Sequence, residues 1–178
     1  MTQIEGVPII PVMERARHEF GEAVSVDAEA IGQPGQRRFR LMVKSTDQTA
    51  ALWMEKQQLQ GIGDWIAEMI KKEDEANPAA AVEVEPDPFG VIFDVELQVV
   101  QIGLGFDESA KLFAIQAFDV QSSAAEPALE CHVSLGQGRV LVRTIERVIA
   151  GGRPICPLCG SPIEPEGHMC PKSNGHAH

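Results

Sequence analysis

The chain has 178 residues, of which 44% are hydrophobic, and a formal net charge of −11 at pH 7. This length suits one domain that can bury a core of its own, and no run of about 18 apolar residues suggests a membrane span. The acidic balance argues against a general nucleic-acid binder, because such proteins need a basic surface to displace counterions from phosphates. Residues 1–20 lack a basic start followed by an apolar core, so we expect a soluble cytoplasmic protein.

Three segments between residues 24 and 54 alternate apolar with polar side chains, which predicts half-buried strands. Their apolar positions are Val24, Val26 and Ala28, then Phe39, Leu41 and Val43, then Ala50, Leu52 and Met54. From Lys56 the apolar spacing becomes helical, and Asn77-Pro78 ends the predicted helix. Gly61 and Gly63 would let this helix approach the sheet closely.

The pattern repeats after residues 77–90, whose alanine, proline and acidic side chains are typical of a linker or an exposed edge. Strands are predicted at 95–99, 112–118 and 129–133, with a turn from Ile102-Gly103 to Ser109 between the first two. Ser134 is the predicted N-cap of a second helix, which Gly151-Gly152 ends.

The two halves correspond position by position, which indicates an internal duplication. Ile62, Ile66, Met69 and Ile70 match Leu141, Ile145, Val148 and Ile149 at a constant offset of 79; Phe39, Leu41 and Val43 match Phe113, Ile115 and Ala117; Ile31-Gly32 matches Ile102-Gly103. We therefore predict an α+β fold in which duplicated β-β-β-α units form antiparallel sheet or sheets packed with two helices, plus a short C-terminal zinc knuckle. The duplicated domain is assigned to residues 1–150, with units at about 20–77 and 91–150, and the zinc-binding tail to residues 151–178.

The tail carries three of the four cysteines in the chain, in a stretch too poor in large apolar side chains to form a core. Cys156 and Cys159 are separated by two residues and followed by Gly160, which is the spacing of a zinc knuckle. Cys170 is the third predicted ligand. His168 completes the set because it alternates with Cys170, and His176 is the alternative fourth ligand.

Two other interpretations of these cysteines are weaker. A redox pair would need a helix that begins at the motif, and prolines at 154, 157, 162, 165 and 171 prevent one. Disulfides would leave one of the three tail cysteines unpaired. Four protein ligands would make the zinc a closed, structural site, whereas three would leave a position for water and hydrolysis.

Few other residues suggest chemistry. Arg37 follows a Gly-Gln-Pro-Gly turn and is a candidate anion-binding residue, although a solvated strand-end cation explains it as well. Cys131 aligns with Leu52 and is predicted to be a buried apolar residue, while its neighbour His132 faces the other way. Tyrosine is absent and no GxSxG or HExxH motif occurs, so no catalytic residue is assigned and the chain is a poor enzyme candidate.

Three stretches together resemble a known family: IGQPGQRRF, MEKQQ and the tail AGGRPICPLCGSPIEPEGHMCPKSNG. They are similar to an uncharacterised bacterial domain-of-unknown-function family whose members end in a zinc-ribbon-like CPLCG...GHxCPRxNG pattern. The resemblance covers nearly the whole chain. The chain keeps Cys156, Cys159, His168 and Cys170 of that pattern, and the resemblance favours His168 over His176 as a ligand, because the family usually carries tyrosine at the latter position. It implies no catalytic role.

The function expected from these observations is a non-enzymatic, zinc-stabilised adaptor or protein-binding module. One alternative is a metal-dependent or phosphate-handling hydrolase that uses Arg37 and an open metal site. A second alternative is a limited RNA contact through the C-terminal end, because residues 137–178 hold five basic side chains against three acidic ones. No membrane association is expected.

Overall fold

The computed structural model describes residues 15–78, 82–152, 156–161, 163 and 167–172. The elements within these residues are β1 (His18–Glu22), β2 (Ser25–Ile31), β3 (Arg38–Lys44), β4 (Thr49–Met54), α1 (Lys56–Ala76), β5 (Val95–Gln98), β6 (Gln101–Asp107), β7 (Leu112–Phe118), β8 (Leu129–Ser134) and α2 (Leu135–Ala150). The strands form two four-stranded sheets, in the orders β1-β8-β7-β6 and β2-β3-β4-β5. Within the described residues, no helix is both long enough and apolar enough to cross a membrane.

The α+β fold and its duplication are confirmed, with β2 to β4 and α1 as the first unit and β6 to β8 and α2 as the second. Each sheet also takes a strand from outside its unit. β1 precedes the first unit yet lies parallel to β8, and β5 precedes the second unit yet lies parallel to β4. The sheets are therefore mixed, and the prediction of antiparallel sheets is wrong for these two pairs. Apolar alternation determines which face of a strand is buried, but it does not determine which strand lies next to it.

The second half holds one more strand than predicted. Residues 101–107 form β6, where a turn was expected to begin at Ile102-Gly103, and the turn is confined to residues 108–111. Glycines at 103 and 105 mimic a turn in the sequence. The alternating Ile102, Leu104 and Phe106 nevertheless pack against the core. β6 thus corresponds to β2, and the match of Ile31-Gly32 with Ile102-Gly103 is wrong. β1 is also a strand that the sequence did not predict.

The matches between strands of the two units are confirmed by strand register. Leu41 lies opposite Leu52 in the first sheet, and Ile115 lies opposite Cys131 in the second. All four side chains are fully buried. They belong to a single core cluster that includes both sheets and both helices. Burial of each of the three aliphatic side chains stabilises the fold by roughly 1.5–3 kcal/mol.

The two helices pack tightly against each other at Gly63 of α1. A Cβ atom at Gly63 would lie 2.9 Å from Cγ2 of Ile145 on α2, whereas one at Gly61 would meet nothing within 4 Å. The close contact predicted from these glycines is therefore made with the second helix, not with the sheet. It fixes α2, whose N-cap is Ser134 and whose C-cap is Gly151, as predicted.

The connection before β5 runs without helix or strand through residues 82–94. The amide of Val84 donates to the carbonyl of Gly136 at 3.2 Å, and the amide of Asp87 donates to Oγ of Ser25 at 2.9 Å. Phe93 is buried with Met42 and Ala51 in a second, smaller apolar cluster. This linker is therefore held against the start of α2 and against the first sheet.

A pair of glycine substitutions tests the helix contact. We expect Gly63→Ala to lower the free energy of unfolding by up to about 2 kcal/mol, because overpacking costs about 1–3 kcal/mol and alanine returns about 1 kcal/mol of helix propensity. The matched change Gly61→Ala should raise stability by about 0.5–1 kcal/mol, since nothing obstructs its methyl group. Urea unfolding measures both, and equal stabilisation by the two would contradict the contact.

Candidate metal centre

The first half of the candidate site is a tight turn at Cys156 to Ser161. The amide of Gly160 donates to the carbonyl of Cys156, and the amide of Cys156 donates to the carbonyl of Ser161, both at 2.8 Å. Gly160 has φ +74°, a left-handed conformation that glycine adopts without strain. This geometry brings the sulfur atoms of Cys156 and Cys159 within 4.8 Å of each other.

The second half places His168 and Cys170 opposite that turn, following Gly167 at φ +99°. The Sγ atoms of Cys156 and Cys170 are 3.7 Å apart, and Sγ of Cys159 lies 3.2 Å from Nε2 of His168. All four ligand atoms lie within 4.8 Å of one another. Metal–sulfur bonds of about 2.3 Å and metal–nitrogen bonds of about 2.0–2.1 Å in a tetrahedron require edges of about 3.8 and 3.6 Å. The cluster is therefore close enough to hold a metal ion.

The electrostatics of the turn favour thiolates. The backbone amides of Cys159 and Leu158 lower the pKa of the Cys156 thiol to about 6. The hydroxyl of Ser161 lowers the pKa of the Cys159 thiol, and the hydrogen bond with Cys156 raises the pKa of His168. Because thiolates are the form that binds metal, the backbone prepares this loop for a cation.

Four of the predicted site residues are thus brought together: Cys156, Cys159, His168 and Cys170. Their ligation of zinc stays a prediction, and the alternative ligand His176 lies outside the described residues. Arg37 lies elsewhere, at the carboxyl end of α2. Its Nη2 donates to the carbonyl of Val148 at 2.8 Å, an interaction that the negative end of a helix dipole favours. Anion binding by Arg37 also stays a prediction.

Cys131 takes no part in the cluster. It is fully buried, as predicted, and burial raises the pKa of its thiol to about 12, so it remains a neutral apolar side chain. Its neighbour His132 faces the other side of the sheet, with Nε2 at 3.7 Å from Oε1 of Glu130. The prediction that the two adjacent side chains diverge is confirmed.

Sequence reasoning missed two features of the site. It did not identify Ser161, whose hydroxyl acts on Cys159. It also assigned no role to Leu158 and Met169, which are 57% and 96% exposed. Their positions in the sequence could have predicted this exposure. Leu158 precedes the predicted ligand Cys159, and Met169 lies between His168 and Cys170, so neither side chain can easily turn towards an apolar core.

The fold and the cluster define an α+β protein with a C-terminal Cys3His candidate metal site. The chain belongs to the family described as "Protein of unknown function (DUF3090)", whose model matches residues 18–170. The resemblance inferred from the sequence is thereby confirmed, and the matched range contains all four clustered residues. Neither the curated proteins nor the solved structures that were compared include a match to this chain.

Proton competition should make metal binding strongly dependent on pH. Below the Cys156 pKa of about 6, bound metal must displace a proton from that thiol, so affinity should fall about tenfold or more per pH unit. The raised pKa of His168 adds a second proton to displace at low pH. Titration of the full chain with Zn²⁺ against a chromophoric chelator measures this slope. The same affinity at pH 7 and pH 5 would show that these groups do not bind the ion.

Proposed function

We propose that this chain is a non-enzymatic adaptor, in which a zinc ion stabilises a C-terminal knuckle that binds a protein partner through exposed apolar side chains. The observation that carries the proposal is the exposure of Leu158 and Met169 directly beside the four clustered Cys and His side chains. The partner would be a protein with an apolar recess. The proposal does not involve nucleic acid or a membrane.

Zinc is the metal that this donor set favours. Three thiolates and one imidazole in a tetrahedral arrangement are a characteristic structural zinc site, whereas calcium and magnesium require oxygen ligands. Four protein ligands also fill the coordination shell of the ion. A filled shell makes the metal a structural support rather than a site for water activation.

Metal ligation would hold the two apolar side chains outward. Cys159 follows Leu158, and His168 and Cys170 flank Met169, so the backbone on both sides would be fixed by the ion. An apolar side chain held rigidly in solvent loses less entropy on binding than a flexible one. Methionine, moreover, adapts its shape to varied apolar surfaces. This combination is suited to docking a protein.

The two alternatives have less support. In a hydrolase that used Arg37, Nη2 of the guanidinium is already occupied by the carbonyl of Val148, which leaves fewer donors for an anion. An RNA contact would need free cations at the C-terminal end. There, however, Arg139 pairs with Asp74, and Arg143 pairs with Glu83. These ion pairs neutralise part of the basic excess that suggested RNA.

Metal content tests the zinc assignment. We expect purified protein to contain stoichiometric zinc, and Cys156→Ser to weaken zinc binding by more than about 100-fold, because loss of an outer-shell contact alone costs about 10- to 100-fold. Cys131→Ala is the matched control and should keep its zinc, since that thiol lies in the core. Elemental analysis with chelator competition measures both. Protein without zinc, or loss of zinc from the Cys131 variant alone, would contradict the assignment.

Substitutions of the exposed side chains test the binding surface. We expect the double change Leu158→Glu and Met169→Glu to abolish recovery of a specific protein partner while zinc content stays unchanged, because two carboxylates would enter an apolar contact. Val120→Glu is the matched control, since Val120 is 86% exposed and lies outside the knuckle. Quantitative affinity purification compares the three proteins. Identical partners for all three would count against the knuckle as the docking surface.

A further inference from the structure

Strand β6 forms one outer edge of its sheet and is unusual among the sheet edges. It pairs with β7 on one side, from Gln101 opposite Phe118 to Asp107 opposite Leu112. Among the described residues, no backbone hydrogen bond occupies its other side. A row of backbone amides and carbonyls is therefore available for pairing with a further strand.

The other three sheet edges carry features that discourage such pairing. β1 has a register shift between Glu19 and Gly21, β2 has Asp27 and Glu29 in its middle, and β5 is only 4 residues long. Bulges, edge charges and short strands are the means by which proteins protect sheet edges. β6 has 7 residues and no charge or proline before Asp107.

The side chains of β6 that face the core are also incompletely covered. Ile102, Leu104 and Phe106 are only partly buried against the core. In β2, the equivalent strand of the first unit, the inward-facing Val26 and Ala28 are each only 4% exposed. Ala30, the third inward-facing residue of β2, is partly buried, so the duplicated fold covers its core more fully at the β2 edge than at the β6 edge.

We propose that β6 pairs antiparallel with β6 of a second copy of this chain, joining two four-stranded sheets into one across a twofold axis at Leu104. The sequence of β6 supports this occupant because it is nearly palindromic. With Leu104 opposite its own copy, Ile102 lies opposite Phe106, Gly103 opposite Gly105, and Gln101 opposite Asp107. Apolar residues then meet on the core face and glycines meet on the outer face.

Charge favours this edge for self-association. Two chains with a net charge of −11 repel each other overall, and the interior of β6 carries no charge that would add to the repulsion. At each end of the paired strands, the Gln101 amide can donate to the Asp107 carboxylate of the other copy. Oδ1 of Asp107 accepts the amides of Ser109 and Ala110, so Oδ2 is the oxygen for this contact.

The glycines provide a charge-reversal test in the zinc-loaded full chain. A Cβ at Gly105 would lie 3.7 Å from that of Ala114, and one at Gly103 would lie 3.1 Å from the movable Oε1 of Gln116, so the monomer accepts substitution. The double variant Gly103→Lys and Gly105→Lys places lysines opposite each other twice in the dimer. The double variant Gly103→Glu and Gly105→Glu does the same with carboxylates. Gly61→Lys, on the exposed face of α1, is the matched control.

Sedimentation velocity over a range of concentrations gives the outcome. We expect dimers for the native chain and for Gly61→Lys, and a dimer affinity weakened about tenfold or more for each double variant. An equimolar mixture of the two double variants should form a heterodimer at least as readily as the native chain dimerises, because lysines then lie opposite carboxylates. Formation of this heterodimer would also show that both variants fold. A native chain that stays monomeric at its highest soluble concentration, or double variants that dimerise unchanged, would overturn the proposal.

Discussion

The exchange of two strands between the halves of the chain is the constraint on which the rest of the structure depends. β1 completes the sheet of the second unit, and β5 completes the sheet of the first. Neither unit can form its full sheet without chain from outside it. The shared core, which contains both sheets and both helices, follows directly from this arrangement. Because these parallel pairings join residues far apart in the sequence, we expect them to slow folding.

The interlocked core also determines where the candidate metal centre begins. Gly63 brings α1 against Ile145 of α2, and Arg37, which precedes β3, holds the carbonyl of Val148 at the end of α2. The first and second units therefore fix the helix terminus from which the tail departs. Beyond Gly151, the Cys156 to Ser161 turn depends on hydrogen bonds and glycine geometry rather than on an apolar core. A metal ion held by the four clustered side chains would supply the stabilisation that such a short, proline-rich segment lacks.

The sequence predicts those features of the fold and of the candidate site that depend on residues close together in the chain. The alternation in β3, β4, β7 and β8, the helical spacing of α1 and α2, and the Ser134 cap are local patterns, and the structure confirms them. The cysteine and histidine cluster was predictable because thiolate chemistry restricts the spacing of metal ligands. Strand β6 was missed because Gly103 and Gly105 outweighed three alternating apolar residues. The partners of β1 and β5 were not predictable, since parallel neighbours far apart in sequence leave no local pattern.

Comparison of the two units distinguishes residues that the shared architecture requires from features that only one unit has. Gln58 donates to the carbonyl of Val100 just as Gln137 donates to that of Val24, so these two glutamines serve the common architecture. The pairing of Leu52 with Leu41 and of Cys131 with Ile115 likewise follows from shared packing and needs no chemical role for the thiol. Two features break the symmetry: only α2 leads into a cysteine-rich tail, and only the second unit ends its sheet in a seven-residue edge that carries no charge before its last residue, Asp107. Because the first unit has neither feature, the shared architecture does not require them.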